Sequence, residues 1–291
     1  MVSTYILIQS IITGVMLGGT YALVAFGLNM VWGVMNVVNA AHAHLVLLGA
    51  YMSYWLWILY GFDPLLSMII SIPSLFLIGL LLFRGLITPV IESPNLMGSS
   101  MLIFWGLAVA LENIFVLAWT VDPRSANTFY VGTSIRWGLI ALPITGLVGF
   151  VVAMGTVGLL YLFLKRSFIG KAIRATAQNR YAAMLMGIDV NRVSLITFGI
   201  GTATAAVAGS LISIIYMFYP SFAWQWLGRM FVICVLGSLG DPLGAILAGL
   251  ILGVSESVVT IVTTAAWSPF VAYIILLLVL MLKPTGLLGR K

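Results

Sequence analysis

Met1 to Phe62 reads MVSTYILIQSIITGVMLGGTYALVAFGLNMVWGVMNVVNAAHAHLVLLGAYMSYWLWILYGF, and none of these side chains is Lys, Arg, Asp or Glu. A helix crossing a bilayer needs about 20 predominantly apolar residues, so this stretch holds more than one crossing. The pattern recurs, because Trp137–Leu164, Val193–Gly228 and Ser257–Leu282 are equally free of charge. Over 291 residues, 62% are hydrophobic and 7% charged, with mean hydropathy +1.18. Soluble domains carry roughly 25% charged residues. A soluble enzyme is therefore excluded, and an all-α polytopic transmembrane bundle is expected.

Net charge +6 and pI near 9.6 would suggest nucleic acid in a soluble chain. The distribution points elsewhere. No Lys or Arg precedes Arg84, whereas Lys165, Arg166, Lys171, Arg174, Arg180 and Arg192 crowd one segment, and Lys283, Arg290 and Lys291 close the chain. Loops rich in Lys and Arg stay cytoplasmic, so the charge reports topology rather than a nucleic-acid partner. The single Cys234 allows no disulfide within the chain. The N-terminal stretch lacks the basic flank and cleavage site of a signal peptide and reads as a retained first span.

The charge-free runs place spans at about Tyr5–Asn29, Val34–Tyr60, Pro64–Phe83, Ser99–Trp119, Leu139–Leu164, Val193–Tyr219, Trp224–Leu239, Leu243–Thr264 and Pro269–Leu282. The seventh and ninth are short, so eight or nine crossings are expected within one membrane domain spanning residues 1–291. With 165–192 cytoplasmic, the N-terminus counts to the outside and the basic C-terminal tail to the inside. Aromatic clusters at Tyr51–Tyr60 and Tyr216–Trp226 suit either the headgroup level or internal packing. Glycines four apart, Gly14 with Gly18 and Gly249 with Gly253, suit close helix packing in lipid.

Two spans carry polar interruptions. One is Gly33-Val34-Met35-Asn36-Val37-Val38-Asn39-Ala40-Ala41-His42-Ala43-His44. The other is Leu236-Gly237-Ser238-Leu239-Gly240-Asp241-Pro242, where Asp241 is placed to cap a helix starting at Pro242. Non-helical backbone at membrane depth survives only inside protein or beside an aqueous cavity, and broken segments often mark a substrate site. Gly237–Asp241 equally suits a tight turn at the cytoplasmic face. The isolated acids Glu112 and Glu256 either face a cavity or pair with a cation such as Arg229. His42 and His44 share a face only if extended. With no Cys or acid beside them, packing is expected rather than a metal site. No nucleophile–base pair and no P-loop is present, because Gly170-Lys171-Ala172 lacks the upstream Gly and the following Ser or Thr.

Ser167–Arg192 reads SFIGKAIRATAQNRYAAMLMGIDVNR. A helix over Lys171–Met186 is expected, closed by Gly187. It suits either an amphipathic helix lying on lipid or a docking helix for a cytoplasmic partner.

Three stretches together resemble the permeases of branched-chain amino acid ABC importers. The first runs from Gly18, Tyr21, Ala22 and Leu23 through Asn39, Ala41 and His42 to Leu48-Gly49-Ala50-Tyr51. The second is Gly170-Lys171-Ala172-Ile173-Arg174-Ala175 with Asn179, Ala182-Ala183 and Leu185-Met186-Gly187-Ile188. The third is Val235–Ala245, followed by Glu256 and the tail Lys283–Gly289. The resemblance implies a pathway-lining subunit working with a second permease subunit, separate cytoplasmic ATPases that use ATP, and an extracytoplasmic substrate-binding protein. It implies no cofactor on this chain and no enzymatic activity of its own. Gly170, Lys171, Arg174, Ala175, Asn179, Ala183 and Gly187 then belong to the coupling element within 165–192. Asn36, Asn39, His42, His44, Gly237, Ser238, Gly240, Asp241 and Glu256 are the candidates for the substrate route. One departure is that Ala43-His44 stands where the family commonly has Gly and an acid, which removes a partner for a substrate ammonium. Related permeases carry urea or short amides. The other reading is a self-sufficient secondary transporter relaying protons through His42, His44, Glu112, Asp241 and Glu256.

Overall fold

A computed structural model describes the chain except for residues 1–3, 265–266, 284 and 290–291. Helix α1 spans Thr4–Met35, α2 His42–Tyr60, α3 Pro64–Leu82 and α4 Leu96–Trp119. A π-helical turn and a 3-10 turn extend α3 as far as Val90. Strands β1 (Ser134–Trp137) and β2 (Ile140–Pro143) form an antiparallel hairpin before α5, Ile144–Arg166. Short helices α6 (Phe168–Gln178) and α7 (Arg180–Leu185) precede α8, Val190–Ile215. Then come α9 (Phe222–Gly237), α10 (Pro242–Val262) and α11 (Ser268–Leu282).

Seven of these helices are long and apolar enough to cross a membrane, and α9 and α11 are shorter apolar helices. These nine helices fall on the nine expected runs, and the two runs expected to be short are again the short ones. Three expectations differ. The second span was expected from Val34, but α1 continues to Met35 and α2 starts at His42. The 32 residues of α1 make a rod of about 48 Å, longer than the roughly 30 Å hydrocarbon layer, so it crosses tilted or protrudes. Residues 139–143, expected to open the fifth span, pair as a strand instead, because Gly138 at φ +62° turns the chain back on Ser134–Trp137. The helix expected over Lys171–Met186 is two helices. Asn179 adopts an extended backbone, ends α6, and caps α7 by accepting from Ala182 N–H. Gly187 at φ +80° closes α7 as expected.

The core is built on α1 and α8, the two most deeply buried spans. Helix α8 packs on α2 and α3, and α1 packs on α5, α8, α9 and, most extensively, α10. The glycine pairs account for that last contact. A Cβ added to Gly14 would sit 2.6 Å from Val254 Cα, and one on Gly18 2.7 Å from Leu250 Cα, while Gly249 meets Ala22 in the same way. Backbones touch where side chains normally intervene. By contrast α3, α4 and α5 turn large apolar side chains outward, among them Leu102, Leu117, Leu159 and Ile69. Outward apolar surface of this kind is covered by lipid or by another transmembrane chain.

The two ends of the bundle differ. At one end Gln9 of α1 grips the hairpin through Ala141 N–H and C=O, and Arg124 and Phe218 bridge two loops. At the other lie α6, α7, the α1–α2 link, the α9–α10 turn and the tail. The aromatic clusters divide between the two expected roles. Tyr51, Phe218 and Trp226 are buried rings, whereas Tyr60 is 69% exposed.

Candidate translocation and coupling site

The basic end gathers much of the expected site. Asp241 caps α10, its Oδ1 accepting from Leu243 N–H at 2.9 Å and Gly244 N–H at 3.4 Å, with Pro242 in the first turn. Gly237 packs backbone to backbone against Gly244 and Ala245. Ser238, at φ +82°, donates from Oγ to Thr285 C=O at 2.8 Å, and Leu287 N–H donates to Leu236 C=O at 2.8 Å. The turn Gly237–Asp241 is thus a tight, two-sided connection facing α6, one of the two forms expected for it. Across a cavity of about 590 Å³ it faces Arg174, Ala177 and Gln178.

Asn36, at φ +54°, lines a different groove at the same end with Glu92, Arg180, Met184 and Asn191. Further in, Val38 N–H donates to Ser100 Oγ at 3.2 Å. Asn39 and His42 are each 1% exposed; among the described residues neither polar atom of the Asn39 side chain has a hydrogen-bond partner, and the His42 ring, with no side-chain partner, lies against the Val24 backbone. His42 lies against Gly27 and Thr204, between α1 and α8. His44 meets other neighbours, its ring 4.9 Å from that of Trp224, whose Nε1–H donates to Glu112 at 2.7 Å. Buried polar groups are nearly always paired. Among the described residues the two ring nitrogens of His44 are also without a partner, so Asn39 and His44 stand out.

Glu256 stands apart from all of these. It lies 15 residues along α10 from Asp241, about 22 Å by helical rise. Its Oε1 accepts from Arg229 Nε at 3.0 Å, and its Oε2 from Tyr21 Oη at 2.7 Å and Ser268 Oγ at 2.9 Å. The expected pairing with Arg229 is present, and three donors already occupy the carboxylate.

The coupling segment folds back on α5. Arg174 donates to the carbonyls of Leu164 and Lys165 at the end of α5, at 3.0 and 3.4 Å, and Ser167 Oγ caps α6 at Gly170 N–H. A Cβ at Gly170 would sit 2.6 Å from Leu164 Cα, so glycine permits the crossing. Lys171 is exposed, Ala175 half-buried, and Ala183 inward at 4% exposure. The outward apolar side chains are others: Phe168 at 86%, Tyr181 at 68%, Leu185 at 72% and Met186 at 81%. Sequence reasoning drew the segment's apolar character from Ile169, Ile173, Ala177, Met184 and Met186; it passed over Phe168 and Tyr181, and over Asn29, whose amide side chain grips the α9–α10 turn. A polar residue within an otherwise apolar run was the available signal for Asn29.

The family described as branched-chain amino acid transport system / permease component matches residues 10–280. The chain belongs to this family. It is 32% identical to the high-affinity branched-chain amino acid transport system permease protein BraD of Pseudomonas aeruginosa, over 98% of this chain and 97% of that one. It is 31% identical to LivH of Salmonella typhimurium, over 97% and 96%. Among solved structures, PsaBC from Streptococcus pneumoniae in complex with Fab aligns with TM-score 0.47 at 16% identity, covering 98% of this chain and 94% of that chain, a likeness too slight to argue from. The resemblance drawn from three stretches thus holds over nearly the whole chain. As a permease of this family, with its run of apolar helices, the protein is an integral membrane transport component.

Proposed function

We propose that the chain is the pathway-forming permease subunit of an ATP-driven importer for branched-chain or other small amino acids. ATP is hydrolysed on separate cytoplasmic ABC subunits. A second permease subunit, identical or homologous, completes the route, and an extracytoplasmic binding protein delivers substrate. The basic end faces the cytoplasm and the N-terminus lies outside, following the Lys and Arg bias. Besides kinship, the observation that carries this reading is the apolar patch on α6–α7. Four large apolar side chains between 68% and 86% exposed sit among Lys165, Arg166, Lys171 and Arg180 at one end of the bundle, where a partner's groove would cover them.

The unpaired Asn39, with His42, Asn36 and the Gly237–Asp241 turn, lies on or beside the substrate route. Polar groups left open at membrane depth suit a zwitterion that must be passed on rather than held. Proton relay through this chain alone is less well supported, because Asp241 is engaged in a cap and Glu256 in an ion pair.

Liposomes test both statements. Leucine uptake is expected only when the ATPase and binding-protein subunits are present with ATP. Proton-driven uptake by the purified chain alone would refute the importer reading. In the active vesicles, cysteines replacing Asn36, Asn39 or His42 should react with small polar thiol reagents and be shielded by leucine. Uniform inertness would remove these residues from the route.

A further inference from the structure

We infer that Asn29 is a positioning residue whose amide locks the α9–α10 turn to α1, so that movement of α6 is carried into the transmembrane core. The inference rests on the proposed docking of α6–α7 on an ATPase. Asn29 is 1% exposed. Its Nδ2 donates to Asp241 C=O at 2.9 Å, and its Oδ1 accepts from Gly240 N–H at 2.9 Å. An amide side chain offers a donor and an acceptor side by side, and here both are spent on adjacent backbone groups of one turn. One helical turn further on, Gly33 meets Gly240 with no room for a Cβ. Cutting the amide away removes both partners from two backbone groups of a part-buried turn, at a cost for each.

The turn it holds is under strain. Ser238 sits at φ +82°, a region that L side chains rarely adopt, and Gly240 follows at φ +80°. The tail holds the same turn from the far side through Thr285 and Leu287. Such a segment keeps its shape only because its surroundings over-determine it, and Asn29 is half of those surroundings.

Between this clamped turn and α6 there is space. A cavity of about 180 Å³ is lined by Met30 and Val34 of α1, Leu164 of α5, Ile173 of α6, and Gly240 and Pro242 of the turn. A partner that shifts α6 closes this gap onto the turn. With the amide in place, α1 has to follow the turn rather than slide past it. Because α1 packs on α5, α8, α9 and α10, its displacement reaches the whole core.

The test is leucine uptake per ATP hydrolysed, in liposomes holding the chain with its ATPase, its permease partner and its binding protein. Asn29→Ala and Asn29→Leu should leave subunit assembly and ATP hydrolysis intact while uptake per ATP falls about tenfold. Asn29→Asp keeps the acceptor for Gly240 but loses the donor for Asp241, and should fall in between. Uptake and hydrolysis declining in equal proportion, or no change in either, would overturn the inference. Loss of assembly in all three variants would overturn it too, since the amide would then serve folding alone. Leucine uptake by the unmodified chain without ATPase subunits is a separate result, visible before any variant is made, and it refutes the importer reading instead.

Discussion

Glu256 and Arg229 show how a charge at membrane depth becomes tolerable. Ionised groups at the centre of a span are costly, and here the carboxylate receives a guanidinium, a phenol and a hydroxyl from α9, α1 and α11. The four side chains tie four helix segments at one point. Removing one partner from a buried pair leaves the other uncompensated, at a cost of about 3 kcal/mol. Arg229→Met and Glu256→Gln should therefore each lower the thermal midpoint of the detergent-purified protein. The double variant should lose less than the sum of the two. Strict additivity of the midpoint shifts would mean that the two side chains act independently. The sequence offered both residues and the pairing as one option. Their meeting depended on α9 and α10 being neighbours, which local pattern does not encode.

The coupling segment was legible as a basic amphipathic element, because basic residues and short apolar periodicity are local properties. Its division into α6 and α7 at Asn179 was not, since a single cap competes with helix propensity on nearly equal terms. The division also decides which residues face outward. Ala183 turns into the protein, so a bulky substitution there would disturb packing before it disturbed docking. Leu185→Glu and Met186→Glu act on the exposed face. Each should abolish co-purification of the ATPase subunits, while membrane insertion and the midpoint of the chain itself stay unchanged. Retained co-purification with normal uptake would place the docking surface elsewhere. A helix resting only on lipid would respond instead to the anionic lipid content of the vesicles.

Among the described residues, nine apolar helices with the 165–192 segment and Lys283 at one end make a definite topology, and thiol labelling tests its orientation. With Cys234 replaced by Ala, a cysteine at the exposed Asn127 should react with a membrane-impermeant reagent in intact cells. A cysteine at the exposed Gln178 should react only after permeabilisation. The reverse pattern would invert the protein in the membrane. Unlike the meeting of α1 with α10, the apolar runs, the two short helices, the α10 cap at Asp241 and the close packing of the glycine pairs followed from the sequence alone. Each rests on apolar run length, a capping side chain or a spacing of four, all read within one segment. The hairpin at 134–143, the burial of Asn39 without a partner, the Glu256–Arg229 pair and the grip of Asn29 on Gly240 and Asp241 were decided only by the tertiary structure. They join residues as many as 212 positions apart, as Asn29 and Asp241 are. Their energy comes from excluding water between elements, a quantity that no stretch of sequence holds until its neighbours are in place.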